Sequence, residues 1–421
     1  MRTRMLRLVR RARNTADEFP RRFWVLVAAS FIDTVGRTLI FPFFALYVTQ
    51  RFNVGMTEAG VLLAIFSVTG FVGNMLGGGL TDRFGRRSII ISGLVFSSIS
   101  ALSMGLVDQL TVFYVLAAFV GLLSDIAGPA HGAMVADLLR EEKRAEGFGI
   151  LRVAGNLAWI IGPTIGGFLA SRSYLSLFIL DAIASLITAA IVFRLIPETR
   201  PQAAEVARRE SMAATYRGYF RVLGDRPYAA FLAIALIMNM VYLQLYSTFS
   251  VYLRDVHNIP AQGYGFLMSA NALLVVLMQF WVTRRTNLHP PLTMMALGSA
   301  FYLVGFTMFG MVSTYFFFVV AMMIVTIGEM IVIPVSQALV TRFAPEEMRG
   351  RYMAVFSLSW AIPSAIGPWA AGMIMDNFTP NLVWYLSGAL AAVAVLGFVG
   401  LHARTRRRLE APEGEAQPAP A

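Results

Sequence analysis

The chain alternates long apolar runs with short polar ones, and twelve of the apolar runs are long enough to cross a bilayer. A spanning helix needs about 20 mostly apolar residues. A barrel strand would need only about 10 and would alternate apolar with polar positions, which these runs do not. The pattern predicts an all-α membrane protein with twelve transmembrane helices, at 23–49, 57–80, 88–107, 110–136, 145–170, 174–196, 228–253, 262–283, 290–312, 313–341, 350–375 and 380–402.

The basic residues give this arrangement an orientation. Of the 35 Lys and Arg residues, 30 fall in the stretches that lie on one side if the helices alternate direction, three fall on the other side, and two lie inside helices. Basic residues concentrate on the cytoplasmic side of membrane proteins. Both termini are therefore expected in the cytoplasm. The net charge of +11 is explained by topology, and no nucleic-acid partner is expected.

The amino-acid composition excludes several classes of chemical site. Hydrophobic residues make up 57% of the chain and charged residues only 14%. The chain has no cysteine, which excludes disulfides, thiolate metal sites and thiol catalysis. The four histidines are scattered without metalloprotease spacing, and a phosphate-binding loop of the Walker type is absent. We expect neither an enzyme nor a cofactor or bound metal.

The two halves of the sequence repeat at an interval of 205 residues. Six features recur at this interval, namely Tyr47 and Tyr252, Gly60 and Gly265, Pro129 and Pro334, Arg144 and Arg349, Gly162-Pro163 and Gly367-Pro368, and Gly167 and Gly372. The repeat predicts two pseudo-symmetric six-helix bundles that move about a central site. The predicted organisation is a basic cytoplasmic N-terminus (1–22), an N-terminal bundle (23–196), a cytoplasmic linker (197–227), a C-terminal bundle (228–402) and a disordered cytoplasmic tail (403–421).

Ionisable side chains interrupt several of the apolar segments. Asp33 lies about 15 Å along its helix from the cytoplasmic end, with Arg37 on the same face one turn later. Such groups are costly in hydrocarbon unless they pair or line a wet cavity, so they point to a transport pathway. A static ion pair between Asp33 and Arg37 is the alternative. The predicted proton-coupling or substrate residues are Asp33, Arg37, Asp125, His131, Arg152, Asn156 and Glu329.

The sequence suggests a separate role for each of these polar residues. Arg152 is expected to pair with Asp125 or to bind an anionic substrate, and His131 either titrates near neutrality or serves as a packing group. Glu329 either binds a cationic substrate or a second proton, or forms a permanent interhelical bond. Asp181 is placed near the outer end of its segment, with a structural or solvated role. The seventh segment offers candidates for lining a cavity: Asn239, Tyr242, Gln244 and Tyr246.

The loop between the second and third segments carries the most specific motif. It reads Gly78-Gly79-Leu80-Thr81-Asp82-Arg83-Phe84-Gly85-Arg86-Arg87. This resembles the G-x-L-x-D-R-x-G-R-R signature of the major facilitator superfamily, in which it latches the two halves on the cytoplasmic side. The resemblance implies a gating motif of Gly78, Asp82, Arg83, Gly85, Arg86, Arg87 and Asp137, with Asp82 engaging the start of the eleventh segment and Arg86 engaging Asp137. The second half has no good copy of this motif.

Two further patterns resemble drug and proton antiporters of that superfamily. The fifth segment contains Gly155, Gly162, Pro163, Gly166 and Gly167, similar to the family's antiporter motif, although close helix packing alone would also use these residues. The first segment carries Asp33-x-x-Gly36-x-x-x-Ile40-x-Pro42. The arginine that those antiporters place in the fourth segment is missing here.

The sequence therefore predicts a secondary active transporter, proton-coupled, that exports amphipathic small molecules or drugs by alternating access. Its partners would be a small-molecule substrate, protons and the lipid bilayer. It would act as a monomer in the inner membrane of a bacterium. The alternatives are a carrier, including an importer, of a specific sugar, metabolite or lipid, and a receptor or scaffold that keeps the fold without transport.

Overall fold

A computed structural model describes residues 18–124, 126–199 and 212–410, and the regular elements within these ranges are all helical. The first half contains α1 (Arg21–Ile40), α2 (Phe44–Arg51), α3 (Met56–Phe84), α4 (Arg86–Leu106), α5 (Leu110–Ser124), α6 (Ala127–Leu138), α7 (Glu141–Ala170) and α8 (Tyr174–Leu195). The second half contains α9 (Met212–Leu223), α10 (Arg226–Tyr242), α11 (Thr248–His257), α12 (Ala261–Thr286), α13 (Pro291–Met311), α14 (Tyr315–Phe343), α15 (Arg349–Asn377) and α16 (Leu382–Glu410).

The helices follow the apolar segments closely, and the all-α membrane architecture is confirmed. Among the described residues, eleven helical stretches are long and apolar enough to span a bilayer. The helix of the eleventh predicted segment, α15, is 29 residues long but is not among them. Its serines, glycines and two internal prolines lower its hydropathy below that of its neighbours. The count of twelve spans thus stays a prediction.

Two predicted segments, 23–49 and 228–253, are each built from two helices joined by a short turn. A short 3₁₀ turn at Phe41–Phe43 joins α1 to α2, and another at Leu243–Leu245 joins α10 to α11. Pro42 lies in the first of these turns. The α-helix is interrupted there because proline lacks the N–H that a continuing helix would need. The tail predicted as disordered from 403 is helical as far as Glu410, since its Arg, Leu and Ala residues favour helix. Residues 1–17, 200–211 and 411–421 lie outside the described part of the chain.

Contacts divide the chain into two compact units that do not follow the sequence halves strictly. The first unit comprises 1–53, 65–205 and 260–272, and the second comprises 54–64, 206–259 and 273–421. Each unit therefore includes a short segment from the opposite half of the sequence. The start of α3 belongs to the second unit and the start of α12 to the first. The bundle boundaries at 196 and 228 remain a prediction.

Each unit has its own apolar core. In the first unit, buried side chains of α1, α4, α6 and α8 form one cluster, which includes Phe23, Leu26, Ile89, Ile90, Met134, Val135 and Val192. In the second unit, fully buried aromatic rings of α11, α13, α14 and α16 contact one another at 4.3–6.4 Å, namely Phe249, Phe306, Phe309, Phe318 and Trp384. These cores fix the helices that carry the polar groups described below.

Repeated glycines allow equivalent helix crossings in the two units. In the first unit, a Cβ on Gly167 of α7 would lie 2.9 Å from the carbonyl oxygen of Ala261, at the start of α12. In the second unit, a Cβ on Gly372 of α15 would lie 2.5 Å from the carbonyl oxygen of Met56, at the start of α3. The residues of each contact differ by 205 from those of the other. The repeat read from the sequence therefore corresponds to a repeated backbone contact, which only a residue without Cβ permits.

The repeated tyrosines also make equivalent hydrogen bonds. The hydroxyl of Tyr47 donates to the carbonyl of Met104 at 2.7 Å, and the hydroxyl of Tyr252 donates to the carbonyl of Phe309 at 3.2 Å. Each acceptor lies 57 residues after its donor. Each bond ties the second part of a broken helix, α2 or α11, to the end of a following helix.

One of the two crossings also carries a carboxylate. Asp376, near the end of α15, accepts hydrogen bonds from the backbone N–H groups of Met56 and Thr57 at 3.0 and 2.7 Å, and from the Thr57 hydroxyl at 2.6 Å. These N–H groups belong to the first turn of α3, where they have no intrahelical acceptor. Asp376 thus acts as a cap supplied from a distant part of the sequence. The position one repeat earlier is Ser171.

We expect replacement of the cap to weaken the second unit. Asp376→Ala removes the acceptor for two backbone donors and should cost about 1 kcal/mol, a modest value because the carboxylate is exposed. Thermal unfolding of the purified protein in detergent measures the effect. Asp376→Asn should recover part of the loss because asparagine also caps helices. Equal melting temperatures for wild type and Asp376→Ala would contradict this role.

The glycine crossing gives a second prediction, with its control on the same helix. Gly167→Ala should destabilise the protein by about 1–3 kcal/mol, because the new methyl group meets backbone atoms of α12 that cannot rotate away. Gly155→Ala should be neutral or stabilising, because nothing lies within 4 Å of the added methyl group and alanine favours helix. Melting temperatures of the two variants test the pair. A Gly167→Ala protein as stable as Gly155→Ala would refute the crossing.

Candidate functional site

The first charged group of the site is the pair predicted on α1. Nε of Arg37 lies 3.5 Å from Oδ2 of Asp33, so the ion pair between residues one turn apart is present. The side chain of Asp33 is only 18% exposed, whereas that of Arg37 is 62% exposed. The arginine therefore retains access to its surroundings while it offsets the charge of a largely enclosed carboxylate.

A second carboxylate lies beside this pair. Asp181 of α8 packs against α1 at Gly36, where an added Cβ would be 2.8 Å from its Oδ1. Asp181 is 5% exposed, so of the two roles expected for it the solvated one is wrong, because the close approach of α8 to α1 excludes water; the structural role stays a prediction. One turn further along α8, the hydroxyl of Ser185 donates a 3.4 Å hydrogen bond to Oδ1 of Asp33.

His131 of α6 joins the same region. Its Nε2 lies 2.6 Å from the hydroxyl of Ser30, which is on α1 about one turn before Asp33. The charges of Asp33 and Arg37 both act on the imidazole. His131 is therefore hydrogen-bonded within the polar region of α1, as a packing role would require, and it also borders the ionisable groups, as a transport role would require.

Together, Asp33, Arg37, His131, Asp181 and Ser185 form what we call the acid cluster. Two carboxylates and one guanidinium give it a net charge of −1 when both acids are ionised and the imidazole is neutral. A single proton or another monovalent cation neutralises it. A group that gains or loses one positive charge in an apolar surrounding has the chemistry required for cation-coupled transport.

The second unit holds a different polar site. Tyr242 of α10 contacts Tyr246 through their hydroxyls at 3.0 Å and stacks on Tyr302 of α13 with ring centroids 6.0 Å apart. Trp360 of α15 meets Tyr242 edge-on at 5.9 Å. We call these four residues the aromatic box. Glu329 of α14 is half-buried and acts electrostatically on all three tyrosines of the box.

The aromatic box and its acid suit a positively charged ligand. The faces of tyrosine and tryptophan rings attract cations, most strongly where water is excluded. A carboxylate adds a full negative charge to that attraction. Of the residues in this site, Glu329, Tyr242 and Tyr246 are among the candidates from the sequence, whereas Tyr302 and Trp360 are not.

The other two cavity candidates of the seventh segment are bonded inside the second unit. The amide of Asn239 donates to the carbonyl of Ser359 at 2.7 Å. The amide of Gln244 donates to the carbonyl of Gly367 at 3.2 Å and accepts from the Thr248 hydroxyl at 2.5 Å. Both side chains are buried and hold the break between α10 and α11 against α15.

The structure describes only some of the predicted site residues of the fourth and fifth segments. Arg152 is exposed on α7, and Asn156, one turn later, is half-buried. Asp125, the proposed partner of Arg152, lies outside the described residues. Their pairing and their function stay predictions.

The antiporter-type motif on α7 is closely involved in packing. A Cβ on Gly162 would meet the side chain of Thr38, and one on Gly166 would lie 2.7 Å from the carbonyl oxygen of Leu39, both on α1. Gly167 faces α12, as described above. Pro163 is an internal residue of α7. The motif therefore brings three helices together, as the packing alternative requires, and its part in antiport stays a prediction.

The motif between the second and third segments is organised by an acid that follows α8. Gly85 separates α3 from α4 with φ of +92°, a conformation that favours glycine. Directly after it, the backbone N–H groups of Arg86 and Arg87 donate to the carboxylate of Glu198 at 2.8 and 3.1 Å. Glu198 therefore caps the start of α4 from outside the motif.

The ion pair that the family resemblance implies is present beside this cap. Nε of Arg86 donates to Oδ2 of Asp137, at the end of α6, at 3.1 Å. The hydroxyl of Thr199 donates to the same oxygen at 3.1 Å. Arg87 lies over the ring of Phe193, with 4.9 Å from Cζ to the ring centroid, and donates to its carbonyl oxygen.

The remaining motif residues are only partly described. Gly78 has open space around it, and Arg83 is exposed with its guanidinium over the ring of Phe84 at 5.4 Å. The side chain of Asp82 is not among those that the structure describes. Its contact with the eleventh segment, and the gating role of the motif, stay predictions.

From the sequence alone, Asp181 has no assigned part in the transport site and Glu198 is not singled out, although each acid leaves a signal there. Asp181 interrupts an apolar segment, with Ser185 one turn away on the same helix face. Glu198 follows the sixth segment immediately, where an acid can reach a neighbouring helix start. The first turn of α4 begins with two arginines after a glycine and therefore has no side-chain cap of its own.

Comparison with known proteins places this architecture in a family. The sequence profile described as Major Facilitator Superfamily matches residues 26–368 and 248–421. A Na(+), Li(+), K(+)/H(+) antiporter of Planococcus maritimus is 28% identical over 410 residues, which cover 89% of this chain and 94% of the relative. The multidrug resistance protein MdtH of Salmonella paratyphi B is 22% identical, with 96% and 99% covered.

A solved structure agrees in fold. The nucleoside transporter NupG superposes with a TM-score of 0.80 over 90% of this chain and 99% of its own, at 13% identity. At that identity the likeness concerns the fold alone. With the profile match over most of its length, the chain belongs to the Major Facilitator Superfamily and is a multi-pass membrane transporter rather than an enzyme.

Proposed function

We propose that this transporter is a proton-coupled antiporter that exports amphipathic small molecules, organic cations among them, across the inner membrane of a bacterium by alternating access. The acid cluster carries the proposal, because Asp33 is largely enclosed, pairs with Arg37 and has a second carboxylate beside it. The names of two relatives, an ion/proton antiporter and a multidrug resistance protein, support the same class of activity.

The coupling follows from the charge of the acid cluster, which acts electrostatically on a cation held elsewhere in the carrier. When a proton binds the acid cluster, the cluster becomes neutral and its attraction for a cation falls. When the proton leaves, the net negative charge returns and favours a cationic cargo. Exposure of the cluster to opposite sides of the membrane in turn would convert a proton gradient into outward movement of the cargo.

The aromatic box is the proposed cargo site. Tyr246 and Trp360 are partly exposed and can offer ring surface to an apolar cation, Tyr242 and Tyr302 are buried behind them, and Glu329 supplies the opposing charge. The carrier would then accept many different cationic molecules, because ring faces and a single carboxylate impose few directional requirements on a ligand.

Exchange of alkali cations for protons is the second candidate. It is favoured by the Planococcus maritimus relative and by the negative charge of the acid cluster. In this reading Na⁺ itself would replace the organic cation as cargo.

Transport in proteoliposomes tests the coupling. In vesicles with an acidic interior, external tetraphenylphosphonium should raise the internal pH, because an antiporter releases protons as the probe enters. Asp33→Asn should reduce this signal at least tenfold, because an amide cannot carry the proton. A fall in internal pH would instead indicate a symporter that takes up its substrate, and would refute antiport. A response to Na⁺ but not to tetraphenylphosphonium would establish the second candidate.

Ligand binding tests the cargo site. Glu329→Gln should weaken tetraphenylphosphonium binding by about tenfold, equivalent to about 1.4 kcal/mol, because it removes the charge and keeps the shape. Trp360→Ala should weaken it similarly, whereas Tyr302→Phe should have a small effect because the ring remains. Glu346→Gln, at an exposed acid of the same half, is the matched control. Unchanged affinity in both Glu329→Gln and Trp360→Ala would exclude this site.

A further inference from the structure

Asp181 has a carboxylate oxygen for which the structure provides no partner. Within the described residues, Oδ1 of Asp181 is buried and forms no hydrogen bond, although the side chain is only 5% exposed. An ionised carboxylate removed from water without a compensating partner costs several kcal/mol. The group is stable in this position only when something neutralises it.

The position of Asp181 makes it part of the α1 ion pair. Gly36 lies between Asp33 and Arg37 in the sequence, and its missing side chain is what allows Oδ1 of Asp181 to approach α1. Ala184 packs on the same glycine, with 2.9 Å from its Cβ to the position of an added Cβ. The two carboxylates and the guanidinium therefore lie around one glycine.

The other helices next to α8 add little charge at this depth. The charged residues of α4 are Arg86 and Arg87, both in its first turn. On α7 the ionisable residues are in the first turns apart from Arg152, which is exposed. From α6, His131 is bonded to Ser30. The charge that Asp181 experiences is therefore dominated by Asp33 and Arg37 of α1.

We propose that Asp181 is a second proton-binding carboxylate of the carrier, and that it shares Arg37 with Asp33. In the proton-loaded state an O–H bond on Asp181 neutralises its carboxylate, and Arg37 pairs with Asp33. On release that O–H bond breaks and the proton passes by way of Asp33 to water on the open side of the carrier; once it has left, both carboxylates attract Arg37. Asp33 alone would leave no net charge after pairing, so Asp181 supplies the negative charge that a proton neutralises and that attracts a cationic cargo.

A proton fits this position better than an alkali cation. A hard metal cation takes about six oxygen ligands, and it would be repelled by the guanidinium of Arg37. A proton needs one oxygen, and the covalent O–H bond removes the charge locally. The unpartnered Oδ1 offers one acceptor in a space closed by Gly36 and Ala184.

Infrared difference spectroscopy gives a test that does not depend on the cargo. The proposal rests on the proposed proton coupling, but the carbonyl stretch of a protonated carboxylic acid can be followed in the purified, lipid-reconstituted protein as the pH is changed. Wild type should show a band that disappears at high pH. Asp181→Asn should remove that band, whereas Asp255→Asn, at an exposed acid paired with Arg254, should keep it. Melting temperatures verify folding, and Asp181→Glu, which keeps an acid, should shift the band rather than abolish it.

Proton movement in proteoliposomes then separates an exchanged proton from a permanent one. Asp181→Asn should lower tetraphenylphosphonium-driven proton release at least tenfold. A band that survives Asp181→Asn, or one that never titrates, would overturn the proposal. So would loss of the band with transport unchanged. If wild type shows the titrating band but no proton movement with tetraphenylphosphonium or Na⁺, the proposed antiport fails, and with it the exchange assigned to Asp181, while proton binding by Asp181 stands.

Discussion

The balance of charge around Gly36 is the constraint on which the rest of this transporter depends. Two largely enclosed acids lie beside one more exposed base, and neither acid is stable there as an isolated ion. The helices that hold them must therefore bring all three together. Gly36 makes this possible by letting α8 approach α1, and Ser185 links the two helices by a hydrogen bond to Asp33. Gly36, which has no side chain, therefore determines both the packing of α8 against α1 and the grouping of the three charged residues.

The two units use different means to hold polar groups in an apolar surrounding. The first relies on compensating charges, which can be altered by one proton. The second relies on aromatic rings near a single acid, and its buried amides are bonded to backbone carbonyls of α15 beside the break between α10 and α11. A charge-based site suits a small ion, and a ring-based site suits a bulky one. Under the proposed function, this division would let one duplicated architecture bind a proton in one unit and a bulky cation in the other.

Much of the architecture follows from the sequence alone. The apolar segments give the helices, and the interval of 205 residues anticipates the paired contacts of Gly167 and Gly372. The Asp33–Arg37 pair follows from helical spacing. Asp181, Tyr302 and Trp360 could not be assigned in the same way, because their relevance depends on which helices are neighbours. Local spacing places a residue on a face of its helix, whereas only tertiary packing determines what that face meets.

The tyrosine contacts restrict how sequences of this type can change in length. Each bond joins residues 57 positions apart, across a complete helix and two loops. An insertion or deletion inside either interval would have to be absorbed without moving the donor or the acceptor. Natural variation in length should therefore collect outside 47–104 and 252–309, above all in the connector between the halves and at the two ends of the chain.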